Sequence, residues 1–77
     1  MVDFYVYTDG ACSNNGKENA NAGIGIYFQD NDPRNVSKRI TGKQTNNRAE
    51  LLAIIVAYFT IEKDIHAGMT IVIGTDS

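Results

Sequence analysis

The sequence has few cysteines and histidines and no long hydrophobic run, and these absences exclude several classes of protein. A single cysteine, Cys12, cannot form a disulfide within the chain, which excludes a small secreted fold held by disulfides. One cysteine and one histidine, His66, are too few for a closed Cys/His zinc site. The longest apolar run has nine residues (51–59), whereas a membrane-spanning helix needs about 20. We therefore expect no membrane partner.

The overall composition is that of one small globular domain. Apolar residues make up 43% and charged residues 21% of the 77 residues, a balance that argues against a disordered chain. The opening residues, Met1-Val2-Asp3, lack the basic region and cleavage site of a secretory signal. We therefore expect an intracellular protein, either cytoplasmic or nuclear.

The net charge is only −2, but the basic residues are concentrated in one segment. Five of the seven lie within residues 34–48, which contain no acidic residue: Arg34, Lys38, Arg39, Lys43 and Arg48. A local excess of this kind can face phosphates on an otherwise acidic protein. The alternative is an edge strand and loop that lysines keep soluble.

Alternation of apolar and polar residues predicts three strands in the first half of the chain. The period is two, and β-branched and aromatic residues are frequent, as expected of strands at residues 2–9, 22–28 and 34–41. Asp9-Gly10 begins a stretch rich in Gly, Asn and Ser that extends to Asn21 and predicts a turn or long hairpin loop. Three consecutive strands with short connections predict an antiparallel meander.

The period then becomes helical, from about Arg48 to about His66. The apolar residues recur at i, i+3, i+4 and i+7, and we expect this stripe to lie on the sheet. Its members are Leu51, Leu52, Ile54, Ile55, Tyr58, Phe59 and Ile61. Asn47 and Glu50 have the spacing of a capping box, and Gly68 is expected to stop the helix. Residues 70–75 predict a fourth strand, so the fold class is α/β, with one face of the sheet left open.

Three carboxylates lie where these predicted elements begin or end. Asp9 ends the first strand, Glu50 opens the helix and Asp76 ends the fourth strand. If the first and fourth strands are parallel neighbours, these three side chains converge, and convergent carboxylates suit Mg²⁺ or Mn²⁺. Each also has a purely structural interpretation, as a turn residue for the two aspartates and as a helix cap for the glutamate.

Four segments of the chain resemble motifs of type 1 ribonuclease H. They occur in the family's order and together span nearly the whole chain, at residues 7–16 (YTDGACSNNG), 22–27 (AGIGIY), 42–50 (GKQTNNRAE) and 75–77 (TDS). The likeness is greater to the cellular enzymes, including the eukaryotic branch, than to retroviral domains. It implies a ribonuclease H-like fold, in which the fourth strand runs parallel to the first.

The resemblance also implies a metal site and a reaction. The metal-binding positions would be Asp9, Gly10, Glu50 and Asp76, and the three acids among them would be the catalytic residues. They would ligate two Mg²⁺ ions, with Mn²⁺ as the alternative, and Asp9 would bridge the pair. The implied activity is endonucleolytic, two-metal hydrolysis of the RNA strand of an RNA–DNA hybrid, leaving a 5′-phosphate and a 3′-hydroxyl.

Six further polar residues match substrate-binding positions of the family: Asn15, Lys43, Thr45, Asn46, Asn47 and Arg48. The three asparagines match positions that read ribose 2′-hydroxyls and base edges, a task that suits amides because they both donate and accept hydrogen bonds. Lys43 and Thr45 match a pocket for a phosphate of the DNA strand, and Arg48 adds charge beside it.

Compared with the family, residues 1–77 are interpreted as a partial catalytic domain. A family domain of about 150 residues is roughly twice this length. The fourth metal-binding carboxylate, the histidine loop, the fifth strand and the later helices follow the third acidic motif in the family, and this sequence lacks them. We therefore expect little or no activity from the chain alone. We also expect its open sheet face to favour a complementing C-terminal fragment or self-association.

Two other functions are consistent with parts of the sequence. A non-catalytic fragment of the same fold would bind hybrids or a protein partner through the basic segment, with an affinity indifferent to Mg²⁺ and to loss of Asp9. An ATPase of the actin or sugar-kinase type would use Asp9-Gly10 in a phosphate loop. That fold needs a longer chain and a second phosphate loop, and this sequence has neither.

Overall fold

The computed structural model describes residues 1–75, which form one four-stranded sheet and one helix. The strands are β1 (Phe4–Ser13), β2 (Asn21–Tyr27), β3 (Val36–Arg39) and β4 (Ile71–Thr75), and the helix is α1 (Asn46–His66). Their order across the sheet is β3-β2-β1-β4. Strand β2 pairs antiparallel with both β1 and β3, whereas β4 runs parallel to β1. The α/β fold class, the antiparallel meander and the parallel fourth strand are therefore confirmed.

Strand β1 is longer than predicted, which moves Asp9 into its interior. Pairing with β2 continues as far as Ser13, and Asp9 lies opposite Gly25 in this ladder. The chain turns only afterwards, where Asn14 and Gly16 adopt φ angles of 54° and 85°, a region that Asn and Gly enter more readily than other residues. The prediction that Asp9 ends the first strand and begins the turn was wrong.

Strand β3 is shorter than predicted, with four residues instead of eight. The residues before it belong to the hairpin connection, which is closed by side-chain hydrogen bonds instead of ladder bonds. The amide of Asn35 accepts from the Phe28 N–H at 2.8 Å and donates to the Gln29 carbonyl at 2.8 Å. Strands β2 and β4 lie within one residue of their predicted bounds.

Helix α1 contacts the sheet through small residues, and this corrects the predicted face. Its buried residues recur every four positions: Ala49, Ala53, Ala57 and Ile61. Two members of the predicted stripe, Leu51 and Phe59, are instead 60% and 68% exposed. The helix carries apolar residues on nearly every side, so periodicity could not select the buried face, and alanines allow the backbone to lie close to the strands. Within residues 1–75, no helix is both long and apolar enough to cross a membrane.

Helix α1 also begins earlier than predicted, and its N-cap is Thr45. This residue has extended backbone angles, and its hydroxyl accepts a hydrogen bond from the Arg48 N–H at 3.1 Å. Asn47 therefore lies inside the first turn, and Glu50 is five positions beyond the cap, too far for a capping box. The predicted Asn47–Glu50 cap was wrong. Gly68 follows the helix with a φ of 91°, as the predicted stop requires.

Candidate active site

The site is organised by a close approach between strand β1 and the first turns of helix α1. At Gly10 the strand backbone lies so near the helix that a Cβ atom there would be 2.7 Å from the Ala49 carbonyl oxygen, with the Glu50 backbone also too close. Real Cβ contacts essentially never fall below 3.0 Å, so only glycine fits. The contact sets Glu50 beside the strand residue that precedes Gly10, which is Asp9.

Asp9 and Glu50 border one small cleft. The cleft is lined by Thr8, Asp9 and Gly10 from β1, by Glu50 and Ile54 from α1, and by Thr75 at the end of β4. The parallel register places Thr8 opposite Thr75, which brings the end of β4 to the cleft. The structure therefore brings together two of the three predicted carboxylates. The third, Asp76, lies outside the described residues.

The structural alternatives for these two carboxylates do not hold. Asp9 is an exposed residue inside a strand and does not form a turn, and Glu50 caps no helix. Within residues 1–75, neither carboxylate has an ion pair or a side-chain hydrogen bond. Two carboxylates that line one cleft and form no ion pair within the described residues are available to a cation.

The donor set fits a divalent cation in part. Carboxylate oxygens are hard ligands of the kind that Mg²⁺ and Mn²⁺ prefer. Residues 1–75 bring two such groups to the cleft, and nowhere do they gather three or more His, Cys, Asp or Glu side chains into a cluster that could hold a metal. The described part of the chain thus brings two carboxylates to the cleft, and the close packing at Gly10 brings the strand and helix that carry them together.

The asparagines predicted to read the substrate lie beside the start of α1. The side-chain oxygen of Asn15, in the β1–β2 loop, accepts a hydrogen bond from the Asn46 N–H at 3.1 Å. Asn47 is exposed in the first helical turn. The Asn15 contact joins the loop to the helix and holds the Asn15 side chain beside the backbone of Asn46.

Lys43, Thr45 and Arg48 lie in and around the turn that leads into α1. The Arg48 guanidinium donates to the Thr41 carbonyl and, at 2.9 Å, to the Lys43 carbonyl. It packs against Gly42, whose φ is 80°. Arg48 therefore holds the turn from which the exposed Lys43 side chain projects, a structural task in addition to the predicted charge.

Gln44 is a positioning residue that sequence reasoning missed. Its side-chain oxygen accepts from the Ala22 N–H at 2.6 Å, and its amide nitrogen donates to the carbonyls of Ile40 and Gly42, both at 2.9 Å. One side chain thus joins the start of β2 to the turn before the helix. The sequence signal was its place among the polar residues of the 42–50 motif. The structure adds the reason, because a glutamine that is not exposed needs hydrogen-bond partners.

The basic segment does not act as one charged surface, because Arg34 is committed to structural contacts. Its guanidinium bonds the Asp32 carboxylate, with Nη2 to Oδ2 at 2.8 Å, and lies 5.3 and 4.2 Å from the ring centroids of Phe4 and Phe28. These side-chain hydrogen bonds hold the pKa of Asp32 below its usual value. Arg34 is therefore not among the charges available to phosphates.

The face of the sheet opposite α1 is open in the described part of the chain. It exposes aromatic side chains, including Tyr5, Tyr7 and Tyr27, and carries a groove of about 650 Å³ whose lining includes Asp9, Gly25 and Gly74. Asp9 thus lies between this groove and the cleft that it shares with Glu50.

Comparison with known proteins gives one consistent result. A sequence profile described as RNase H matches residues 2–77. The chain is 57% identical over 53 residues to ribonuclease H of Schizosaccharomyces pombe, covering 68% of this chain and 20% of that protein. It is 54% identical over 54 residues to human ribonuclease H1, covering 69% and 19%, and 56% identical over 48 residues to mouse ribonuclease H1, covering 62% and 17%. The chain spans about a fifth of the length of these curated relatives.

Proposed function

The chain belongs to the ribonuclease H family, and on that premise we propose that it supplies part of a nuclease site that hydrolyses the RNA strand of RNA–DNA hybrids. Water would attack phosphorus, the bond to the ribose 3′-oxygen would break, and the products would be a 5′-phosphate and a 3′-hydroxyl. The observation that carries the proposal is the pair Asp9 and Glu50, two carboxylates on one cleft with no structural task.

Asp9, Glu50 and Asp76 are the residues that would hold divalent metal, and Mg²⁺ is the proposed ion, with Mn²⁺ as its substitute. A bound divalent cation would supply Lewis acidity at the phosphate and would neutralise charge that develops during hydrolysis. The chain itself supplies the arrangement of the ligands. Gly10 lets the strand and helix touch, and this contact fixes Asp9 beside Glu50 before any ligand binds.

The substrate is proposed to lie across the start of α1. Asn15, Asn46 and Asn47 offer amides that can donate to and accept from a ribose 2′-hydroxyl, the group that distinguishes RNA from DNA. Lys43 and Thr45 would hold a phosphate of the DNA strand. Support comes from the hydrogen bond between Asn15 and Asn46, which holds the loop against the helix that also carries Glu50.

We further propose that residues 1–77 need additional protein to cut hybrids efficiently. The described residues bring only two acids to the cleft. Large apolar side chains are exposed on the helix and on the open sheet face, and surfaces of this kind bind other protein. The proposed partner is the C-terminal half of a family domain, and a second copy of this chain is the alternative.

A cleavage assay with labelled hybrid and Mg²⁺ tests the proposal. The chain and its Asp9→Asn variant are each assayed alone and with a separately produced C-terminal half of a family domain, and that half is also assayed by itself. We expect RNA-strand cutting only when the unsubstituted chain and the added half are combined. Cutting by the Asp9→Asn mixture, or by the added half alone at the same rate, would refute a role for Asp9. Tight hybrid binding without any cutting, unchanged by Mg²⁺ and by Asp9→Asn, would favour the non-catalytic alternative.

A further inference from the structure

A second groove lies between the β1–β2 loop and the turn that precedes α1. Its volume is about 260 Å³, and its lining includes Gly16, Lys17 and Glu18 from the loop and Lys43, Gln44 and Thr45 from the turn. Lys43 and Thr45 are the residues that the proposed function assigns to a phosphate of the DNA strand. Lys17 and Glu18, on the facing wall, have no role in that assignment.

The two walls of this groove are fixed relative to each other by hydrogen bonds. The loop wall is tied to the helix by the Asn15 side chain, which accepts from the Asn46 N–H at 3.1 Å. The turn wall is tied to the start of β2, just beyond the loop, by Gln44, which accepts from the Ala22 N–H at 2.6 Å. The loop itself is folded by a backbone bond from the Lys17 N–H to the Asn14 carbonyl at 3.0 Å. The groove is therefore part of the fold and needs no ligand to form.

The charges that line the groove are unneutralised. Lys17 and Lys43 are both exposed, and within residues 1–75 neither forms an ion pair. Glu18 carries the only negative charge among the lining residues, so their net charge is positive. The Thr45 hydroxyl accepts from the Arg48 N–H, which leaves its own proton available to an acceptor in the groove.

We propose that Lys17 is a substrate-binding residue that faces Lys43 across this groove and, with it, holds one phosphodiester of a hybrid strand, and that Glu18 weakens this contact. The inference rests on the proposed function and extends its phosphate contact to the second wall. A phosphodiester fits because it presents acceptor oxygens and one negative charge, which match two ammonium groups and a hydroxyl donor.

Two substitutions test the inference, one that removes the positive charge of Lys17 and one that removes the negative charge of Glu18. Fluorescence anisotropy gives the affinity of the chain for a labelled RNA–DNA hybrid at several salt concentrations, in EDTA so that no metal at the cleft is required. Lys17→Gln is expected to weaken binding about three- to tenfold at low salt and to lower the slope of log K against log salt by about 1. Glu18→Gln is expected to strengthen binding, because it removes the opposing charge.

Lys63→Gln is the matched control. It removes the same charge from the last turn of α1, about 27 Å along the helix axis from Thr45. Its effect should be much smaller than that of Lys17→Gln. If the chain binds hybrid but Lys17→Gln and Lys63→Gln behave alike, or Glu18→Gln does not strengthen binding, the inference is wrong while the proposed function stands. If the unsubstituted chain binds no hybrid, the inference is wrong, whereas the proposed function is refuted only by the cleavage assay with the added C-terminal half.

Neutral methylphosphonate linkages, placed one at a time in either strand, identify the phosphodiester. At the contacted position the neutral linkage should weaken binding of the unsubstituted chain and of the Lys63→Gln variant, and it should have little further effect on Lys17→Gln. A sensitive position in the DNA strand would place Lys17 and Lys43 on the same phosphate, whereas one in the RNA strand would overturn that pairing. If the neutral linkage weakens binding of the Lys17→Gln variant as much as it weakens binding of the unsubstituted chain at every position, Lys17 does not contact a phosphodiester.

Discussion

Replacing Gly10 by alanine perturbs the contact on which the candidate site depends. The added Cβ would lie 2.7 Å from the Ala49 carbonyl oxygen and would also crowd the Glu50 backbone. Both neighbours are main-chain atoms of α1, so the backbone of the strand or of the helix must shift. Forcing a methyl group into such a contact costs about 1–3 kcal/mol, a large part of the roughly 4–12 kcal/mol expected for a chain of this length.

The assay is thermal unfolding followed by circular dichroism, with Gly25→Ala as the matched control. Gly25 lies directly opposite Asp9 on β2, and a Cβ there would meet its nearest atoms at 3.9 Å, an ordinary contact. We expect Gly10→Ala to lower Tm by about 5–20 °C and Gly25→Ala to change it by only about 4 °C or less. Similar Tm values for the two variants would refute the close packing of β1 against α1.

Three further predictions concern the helix and the hairpin connection. Thr45→Ala should lower the free energy of unfolding, measured by chemical denaturation, by about 1 kcal/mol, and Asn47→Ala should lower it by less than about 0.5 kcal/mol. A larger loss for Asn47→Ala than for Thr45→Ala would indicate that Asn47 is the cap. Ala53→Leu should destabilise by about 1–3 kcal/mol because Ala53 is fully buried on the sheet, whereas Leu51→Ala should have little effect because Leu51 is exposed; equal effects would contradict the alanine face. Because the folded-state pKa of Asp32 is lowered, its contribution to stability is present above pH 4 and is lost as pH falls through the folded pKa. Unfolding measured from pH 6 to pH 2 should therefore show a smaller acid loss for Asp32→Asn than for the unsubstituted chain, and parallel curves would contradict the pairing.

The positions of the strands were predictable because alternation and β-branched residues are strong local signals, and the short connections between the first three strands predicted the meander. The parallel pairing of β1 and β4 followed from the family resemblance and from the helix between them, and the structure confirms it. The end of β1 was not predictable in the same way. Asp9 and Gly10 resemble a turn, but their backbone continues in the ladder because β2 offers Gly25 and Ile24 as partners.

The start of α1 depended on contacts between residues far apart in the sequence. Thr45 and Asn47 are both good N-caps by residue type, so local preference did not decide between them. The bond from the Asn46 N–H to Asn15 and the anchoring of Gln44 to the Ala22 N–H place the start at Thr45. The consequence for function was large, since the shift removes the capping interpretation of Glu50.

The buried face of α1 was missed because volume, not hydrophobicity, selected it. Ala49, Ala53 and Ala57 are fully buried, whereas the larger Leu51 and Phe59 are exposed. A sequence pattern weights large apolar residues most heavily, but close approach of a helix to a sheet requires small ones. Size also decides the residue at Gly10, because the backbone of β1 lies too close to Ala49 and Glu50 of α1 for any side chain to fit.

The most direct test of a divalent-metal site at Asp9 and Glu50 is binding of Mn²⁺ to the isotope-labelled chain, observed by NMR. Substoichiometric Mn²⁺ broadens signals of nearby nuclei, so the bound ion reports its own position without any need for activity. We predict selective broadening of the amide signals of Asp9, Gly10 and Glu50, and its loss in the Asp9→Asn/Glu50→Gln double variant. Broadening centred on other acids such as Asp30, or broadening that survives the double substitution, would contradict a metal site at this cleft.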